Sequence, residues 1–318
     1  MDYIYLDWNV IQYMKHSTIQ KSIDGPAFYD LVKKLSKKYR FPFSEGHLRD
    51  LSISFKPENN ENIKNDLEYL NILSQGYALG ITKQDELIVI TKKNIDIHTF
   101  FKDIILEQQV APEFEIAGNS YSVNMTTLPK DDLFRPFLEG SGGVLNPDVM
   151  SQFINELLLH MDDPDFYKKF RNQIANMKSN LGRKDTILSK DSNYYKGLIP
   201  FFDFITSESA DSYIDNFEDV IISFCSINGR CFDTMTVGEK IEMTYMLLDF
   251  HPNYRDKVNK KNRPSNIGRD CKNLYFASQA KYYVTEDSSA FRKATFVCKA
   301  LSLRVKVTSM SDFMAKFC

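Results

Sequence analysis

Short apolar runs alternate with amphipathic stretches in the first third of the chain. Residues 3–6 are apolar at successive positions, the pattern of a strand buried on both faces of a parallel sheet. Residues 40–44 are predicted to form a second short strand, with Ser44 as the N-cap of the following helix. Further patterns predict helices at 10–15, 26–39 and 61–74 and a hairpin at 78–90, with its turn at 84–86.

The same alternation returns in the last sixty residues. Residues 270–281 have helical periodicity and lead into a strand at 282–285, and residues 291–301 predict a helix before a strand at 303–307. A short final helix follows that strand. Strands that alternate with helices imply a parallel sheet with right-handed crossover connections, so the predicted fold class is α/β.

The middle of the chain has a different pattern, because apolar residues recur there at helical spacing, as at Phe100, Phe101, Ile104 and Ile105. Glycine-rich and Asp-Pro turns interrupt this pattern. We interpret the stretch as a mainly helical insert. The chain is therefore divided into an N-terminal α/β part (1–94), the helical insert (95–261) and a C-terminal α/β part (262–318).

The composition indicates a globular protein with a hydrophobic core and excludes several other classes. Of the 318 residues, 43% are hydrophobic and 26% are charged, so the chain can bury a sizeable core. The five cysteines are odd in number and lack Cys-x-x-Cys spacing, which argues against a disulfide framework or a structural zinc site. The N-terminal sequence MDYIYLDWNV has no leader pattern, and no apolar run reaches the roughly 18 residues of a membrane span. These features predict a cytoplasmic protein with no membrane segment.

Four aspartates stand where a parallel α/β sheet collects polar side chains. Asp7 and Asp287 follow predicted strands, Asp270 is predicted to open a helix, and Asp50 lies six residues after Ser44. Clustered acids repel one another unless a divalent cation joins them, and hard oxygen ligands suit Mg²⁺ or Mn²⁺. The alternative for each acid is a helix cap or a solvated loop position.

Nearby polar residues are candidates to support these acids. We expect Asn9, which cannot titrate, to orient the aspartate two residues before it or a metal-bound water. Thr285 is expected to hydrogen-bond a carboxylate or a phosphate. Glu45 is an alternative to Asp50 on the same segment. His47 lies one helical turn from Asp50 and is a candidate contact to substrate or metal, although a lone helical histidine is more often a packing residue.

Three ordered motifs in this sequence resemble those of the PIN-domain nucleases. The matching residues are Asp7 and Asn9 after the first strand, Ser44 and Asp50 after the second, and Asp270, Thr285 and Asp287 in the C-terminal part. Asp50 stands where Glu is usual in that family. The resemblance covers residues 1–75 and 262–318, so the helical insert departs from a minimal domain of this kind.

The resemblance implies a three-layer, Rossmann-like domain around a central parallel sheet. It also implies a metal-dependent phosphodiesterase that cuts RNA or, less often, DNA. In such an enzyme, Mg²⁺ or Mn²⁺ held by Asp7, Asp50, Asp270 and Asp287 lowers the pKa of a bound water and neutralises the scissile phosphate.

Charge is distributed unevenly along the chain. The net charge is −2, but residues 262–318 contain ten Lys or Arg and four Asp or Glu, a net of +6, which leaves −8 for residues 1–261. A basic run leads into Asp270 and is a candidate nucleic-acid contact, although charge runs are often only solvated linkers. The residues of the basic run are Arg255, Lys257, Lys260, Lys261, Arg263 and Arg269.

These observations favour a metal-dependent endoribonuclease acting on RNA, with tRNA as one candidate substrate. A toxin or phage-defence role, an inhibitor or activator protein and a homodimer are consistent with a nuclease that carries a large insert. Two alternatives remain at this point. One is a PIN-fold binding module without catalysis, and the other is a structure-specific DNA nuclease.

Overall fold

A computed structural model describes residues 2–20, 23–82, 88–92, 95–108, 120–123, 125, 126, 128, 130, 132–178, 193–226 and 231–317. The helices are α1 (Trp8–Lys15), α2 (Gly25–Leu35), α3 (Glu45–Ser52), α4 (Asn60–Ser74), α5 (Ile97–Glu107), α6 (Arg135–Gly140), α7 (Pro147–His160), α8 (Pro164–Met177), α9 (Asn193–Ile205), α10 (Phe217–Ser226), α11 (Val237–Leu248), α12 (Ser265–Ala277), α13 (Ser288–Ala300) and α14 (Met310–Phe317). The strands are β1 (Ile4–Leu6), β2 (Ile19–Gln20), β3 (Ile23–Asp24), β4 (Ala78–Ile81), β5 (Ile88–Thr91), β6 (Tyr121–Ser122), β7 (Val144–Leu145), β8 (Tyr282–Val284) and β9 (Lys306–Thr308).

A three-stranded parallel sheet lies at the centre of the α/β part. Its order is β1–β8–β9, so a strand from the start of the chain pairs with strands from the last forty residues. Leu6 is in register with Val284, and the Asp7 amide donates to the Val284 carbonyl at 2.9 Å. The predicted α/β class and parallel sheet are confirmed. Because of this register, Asp7 and Thr285, which directly follow β1 and β8, lie side by side.

Helices cover both faces of this sheet. Tyr5 and Tyr283 point into a core shared with α12, α13 and the helical insert, while Ile4, Leu6 and Val284 point into a second core shared with α1, α2 and α14. The alternation follows from the two-residue period of a strand. The arrangement is compatible with a three-layer α/β fold.

Several predicted elements differ from the structure, and the helix predicted at 26–39 ends at Leu35. Residues 40–44 do not form a strand; they make isolated bridges at Arg40 and Phe43, and Pro42 between them cannot donate a ladder hydrogen bond. The last strand begins at Lys306 rather than at 303, because the Leu303 amide closes the end of α13. The helix predicted at 270–281 runs from 265 to 277, so Asp270 does not open it.

The predicted hairpin is confirmed as β4 and β5, which pair antiparallel, and its turn at 84–86 lies outside the described residues. The insert is mainly helical, as predicted, with a small β6–β7 ribbon. Nothing in the structure tests the three domain boundaries, although the first core includes residues from all three parts. Within the described residues, no helix has both the length and the apolar character needed to cross a membrane.

A buried ion network joins the helical insert to α13. The Lys293 ammonium, which is fully buried, donates to Asp249 at 2.9 Å and to Asp256 at 2.7 Å. Arg171 pairs with the same Asp249 at 2.8 Å, and the Ser289 hydroxyl donates to Asp256. Two acids and two cations balance one another, so the network fixes the first turns of α13 against the insert.

Candidate functional site

Asp7 lies at the carboxyl end of β1 and is held by donors from three elements. Its Oδ1 accepts from the Trp8 amide at 2.8 Å, so Asp7 caps α1. Its Oδ2 accepts from the Thr285 hydroxyl at 2.5 Å, because the two residues follow paired strands. This is the carboxylate contact predicted for Thr285. The side chain is buried, but each oxygen retains acceptor capacity.

Asp50 lies on α3, whose N-cap is Ser44 as predicted. Its Oδ2 accepts from the Asn273 side-chain amide at 2.7 Å, and its Oδ1 is 3.4 Å from the Arg269 guanidinium. The same Asn273 nitrogen is 3.4 Å from Asp7 Oδ1. Asp50 therefore has a partner at both oxygens, and one amide connects it to Asp7.

Asp270 lies in the second turn of α12, not at its start. It is half-buried and makes no hydrogen bond or ion pair with the described residues. Asp287 caps α13, where its Oδ1 accepts from the amides of Ser289 and Ala290 at 2.8 and 2.9 Å. The helix-cap alternative is thus correct for Asp7 and Asp287, but each cap leaves acceptor capacity on the carboxylate.

The electrostatics show that these acids lie close together. Burial raises the pKa of Asp7 to about 6, with a smaller contribution from the charge of Asp287, although the hydrogen bonds from Thr285 and Trp8 lower it. Burial, followed by the charge of Asp7, raises the pKa of Asp50 to about 7. Burial and the charges of Asp7 and Asp50 hold the pKa of Asp270 well above its usual range. Their combined negative charge is relieved by protonation or by a bound cation.

His47 does not contact solvent or a free carboxylate, so its predicted contact with substrate or metal is wrong. Its Nε2–H donates to the Leu6 carbonyl at 2.7 Å, and its Nδ1 accepts from the Ser44 amide at 3.0 Å. Both ring nitrogens are therefore occupied in the neutral form, and burial lowers the pKa of His47 to about 4. The imidazole fixes α3 to the end of β1.

Two other predicted supporting residues have different contacts from those expected. Asn9 accepts from the Glu286 amide at 3.5 Å and makes no hydrogen bond to Asp7 within the described residues. Glu45 lies 2.5 Å from the Arg49 guanidinium and 3.5 Å from the Lys272 ammonium, so it is already paired with two cations. Glu45 is therefore a weaker metal-ligand candidate than the aspartates.

Sequence reasoning missed Asn273, which is fully buried between two of the aspartates. The available signal was its spacing: Asp270, Asn273 and Ala277 recur at positions that share one face of a helix. A polar amide on a face that packs against a sheet needs partners, and Tyr5, Asp7 and Asp50 supply them.

The basic run is not a uniform linker. Asp256 and Val258 are buried, whereas Lys257, Lys260 and Lys261 are exposed and make no ion pair with the described residues. Arg255 is exposed as well. Two members are paired with acids: Arg263 lies 2.9 Å from Asp162, and Arg269 lies beside Asp50. The free lysines are therefore the better candidates for contacts with a phosphate backbone.

A divalent cation at this site would depend on the aspartates for its ligands. Within the described part of the chain, no group of three or more His, Cys, Asp or Glu side chains is arranged to hold a metal ion. The chemistry of the donors nevertheless suits Mg²⁺ or Mn²⁺, because they are carboxylate oxygens with unrelieved negative charge. Within the described residues, Asp7, Asp270 and Asp287 are paired with no cation, whereas the Arg269 guanidinium lies 3.4 Å from Asp50.

Comparison with protein-family models gives no match to this sequence. Neither the curated proteins nor the solved structures give a match. The resemblance to the PIN-domain nucleases therefore stays a prediction that depends on the ordered motifs alone.

Proposed function

We propose that this protein is a metal-dependent endoribonuclease with a PIN-like, three-layer α/β domain. The observation that carries the proposal is the convergence of Asp7, Asp50 and Asp270: the charge of Asp7 raises the pKa of Asp50, and the charges of both raise the pKa of Asp270. A structural role alone does not explain why three carboxylates lie close together, because burial of like charges destabilises a fold. Strongly perturbed acids at the ends of parallel strands are instead typical of functional sites.

The residues have distinct roles in this proposal. Asp7, Asp270 and Asp287 hold Mg²⁺ or Mn²⁺, which lowers the pKa of a water and neutralises charge on the phosphate. Thr285 fixes Asp7 through its hydroxyl, and the Asp287 cap fixes its own carboxylate at the start of α13. Asp50 has a supporting role, since the Arg269 guanidinium already lies beside its carboxylate.

RNA is the proposed substrate, with tRNA as one candidate, and the basic run supports this choice. The exposed lysines Lys257, Lys260 and Lys261 precede α12, the helix that carries Asp270. A phosphate backbone drawn to these lysines is thereby brought towards the carboxylates. A toxin or phage-defence role, and control by an inhibitor or activator protein or by dimerisation, belong to the same proposal.

The test is direct cleavage of total RNA, purified tRNA and single-stranded DNA by the purified protein with Mg²⁺, Mn²⁺ or EDTA. We expect metal-dependent RNA cleavage that Asp270→Asn abolishes, because the variant keeps the shape of the side chain and removes its charge. Asp103→Asn is the matched control, since Asp103 is an exposed carboxylate on α5 without contacts to the described residues.

Each outcome has a clear meaning. Equal cleavage by wild type and Asp270→Asn would place the reaction elsewhere in the chain. A preference for DNA would favour the nuclease alternative. Binding of RNA without cleavage under any metal condition would favour a binding module without catalysis. The Arg269–Asp50 contact is consistent with that alternative, because a cation of the protein already pairs with this carboxylate.

A further inference from the structure

A chain of hydrogen bonds leads from the start of α3 to the aspartates, and the chemistry of its members fixes its direction. When ionised, as at pH 8, the carboxylates of Asp7 and Asp50 can only accept, so the amide nitrogen of Asn273 faces them, at 3.4 and 2.7 Å. Asn273 Oδ1 then faces Tyr5, whose hydroxyl is 2.8 Å away and must donate.

The remaining links follow from this first assignment. The Tyr5 hydroxyl has given its proton to Asn273, so at its 2.7 Å contact with Ser44 Oγ it accepts. Ser44 Oγ in turn accepts from the Gly46 amide at 3.1 Å. Ser44 Oγ also lies 3.4 Å from His47 Nδ1, but its proton completes the chain when it is donated to Tyr5. Burial of Tyr5, Ser44 and Asn273 excludes water as a substitute partner.

Close packing holds the amide in the same orientation. A Cβ atom at Gly46 would lie 2.3 Å from Asn273 Oδ1 and 3.0 Å from the Tyr5 hydroxyl, so the α3 backbone lies directly against the amide. The absence of a side chain at Gly46 is what allows this approach. Asn273 can therefore neither rotate nor turn its oxygen towards the carboxylates without breaking the chain.

We infer that Asn273 is a positioning residue: oriented by Tyr5 and Ser44, its amide holds the carboxylates of Asp7 and Asp50 at a fixed separation. The inference concerns the same site. It rests on the proposed function in one respect, namely that the Asn273 contact serves to present Asp7 to a metal ion. Groups that orient a metal ligand affect metal affinity about 10–100-fold when they are removed.

The first experiment is a double-mutant cycle in EDTA, which needs no metal and no activity. Asn273→Ala and Asp50→Ala are combined, and the urea midpoint of each variant is measured at pH 8. We expect Asn273→Ala to lower the urea midpoint by at least twice as much in the wild type as in the Asp50→Ala background. In that background the carboxylate that accepts from Asn273 is already absent. Equal losses in both backgrounds would overturn the inference.

The second experiment measures Mn²⁺ binding by calorimetry in Tyr5→Phe and Asn273→Ala. Tyr5→Phe keeps the ring and removes the hydroxyl that orients the amide, so it tests the chain with little change in packing. Thr244→Val is the control, because Thr244 is equally buried but donates only to the Lys240 carbonyl within α11.

We expect Mn²⁺ affinity to fall about 10-fold or more in Asn273→Ala, to fall by a smaller factor in Tyr5→Phe, and to stay unchanged in Thr244→Val. Unchanged affinity in a folded Asn273→Ala variant would overturn the role assigned to the amide. Absence of Mn²⁺ binding by the wild type would overturn the proposed function, while the cycle in EDTA would still decide the role of Asn273.

Discussion

Replacing Asp50 by Asn should stabilise the protein at high pH and have little effect at low pH. The pKa of Asp50 is raised to about 7 in the fold, against roughly 3.9 in an unfolded chain. A carboxyl whose folded pKa is raised contributes stability that is fully present below the unfolded value and is lost as pH rises through the folded value. The neutral Asn side chain has no such loss.

The magnitude follows from the pKa difference. About three pKa units at 1.36 kcal/mol each give on the order of 4 kcal/mol at pH 8. The attraction of the Arg269 guanidinium, 3.4 Å away, lowers this pKa and is therefore already contained in the difference. The free energy of unfolding of Asp50→Asn should therefore exceed that of the wild type by an amount on the order of 4 kcal/mol at pH 8.

The assay is urea unfolding in EDTA at several values between pH 4 and pH 8, followed by circular dichroism and by the fluorescence of Trp8, the single tryptophan. The difference between variant and wild type should grow across this range, while Asp103→Asn should show no such growth. A variant that is less stable than wild type at pH 8 would refute the reasoning, because the Arg269 contact would then outweigh the burial and repulsion of the carboxylate.

Three further changes test other parts of the molecule. Lys293→Met should lower the free energy of unfolding by about 3–5 kcal/mol in urea titrations, because it leaves Asp256 without a cation and Asp249 with Arg171 alone in the buried network; a smaller loss than at an exposed lysine would contradict that network. Lys260→Ala with Lys261→Ala should weaken RNA binding and reduce the salt dependence by roughly 1.4–1.8 units in a log–log plot, at about 0.7–0.9 for each lost phosphate contact; an unchanged slope would exclude these lysines from the RNA contact. Gly46→Ala should lower the thermal midpoint and, through Asn273, Mn²⁺ affinity; a variant with wild-type values for both would show that the close approach has no function.

Sequence patterns were sufficient for the elements with strong local signals. The apolar run at 3–6 and the Thr285 to Asp287 segment determined a parallel pair of strands and the meeting of Asp7 with Thr285. Residues 40–44 had the composition of a strand, but Pro42 interrupts the ladder. The start of α12 was placed five residues too late, because Asp270 resembles a cap and Pro264 marks the actual start.

The sequence was sufficient to select the acids of the candidate site, but not to predict which residues contact them. Nothing in local sequence indicates that Arg269 turns to Asp50 or that both nitrogens of His47 are occupied, since these contacts depend on how α12 and α3 pack. Asn273 is the clearest case: its partners Tyr5 and Asp50 are more than 200 positions away in sequence, and only the assembled sheet brings them together.

The pairing of β1 with β8 also sets when the site can exist during synthesis. Asp7 and Thr285 are 278 positions apart, an interval that takes a ribosome roughly 14–56 s at typical elongation rates. Until β8 emerges, the first strand has no parallel neighbour on that side and Asp7 has neither Thr285 nor Asn273. A nascent chain that has not reached Thr285 therefore carries half a site, and any activity of these carboxylates begins only after β8 has been made.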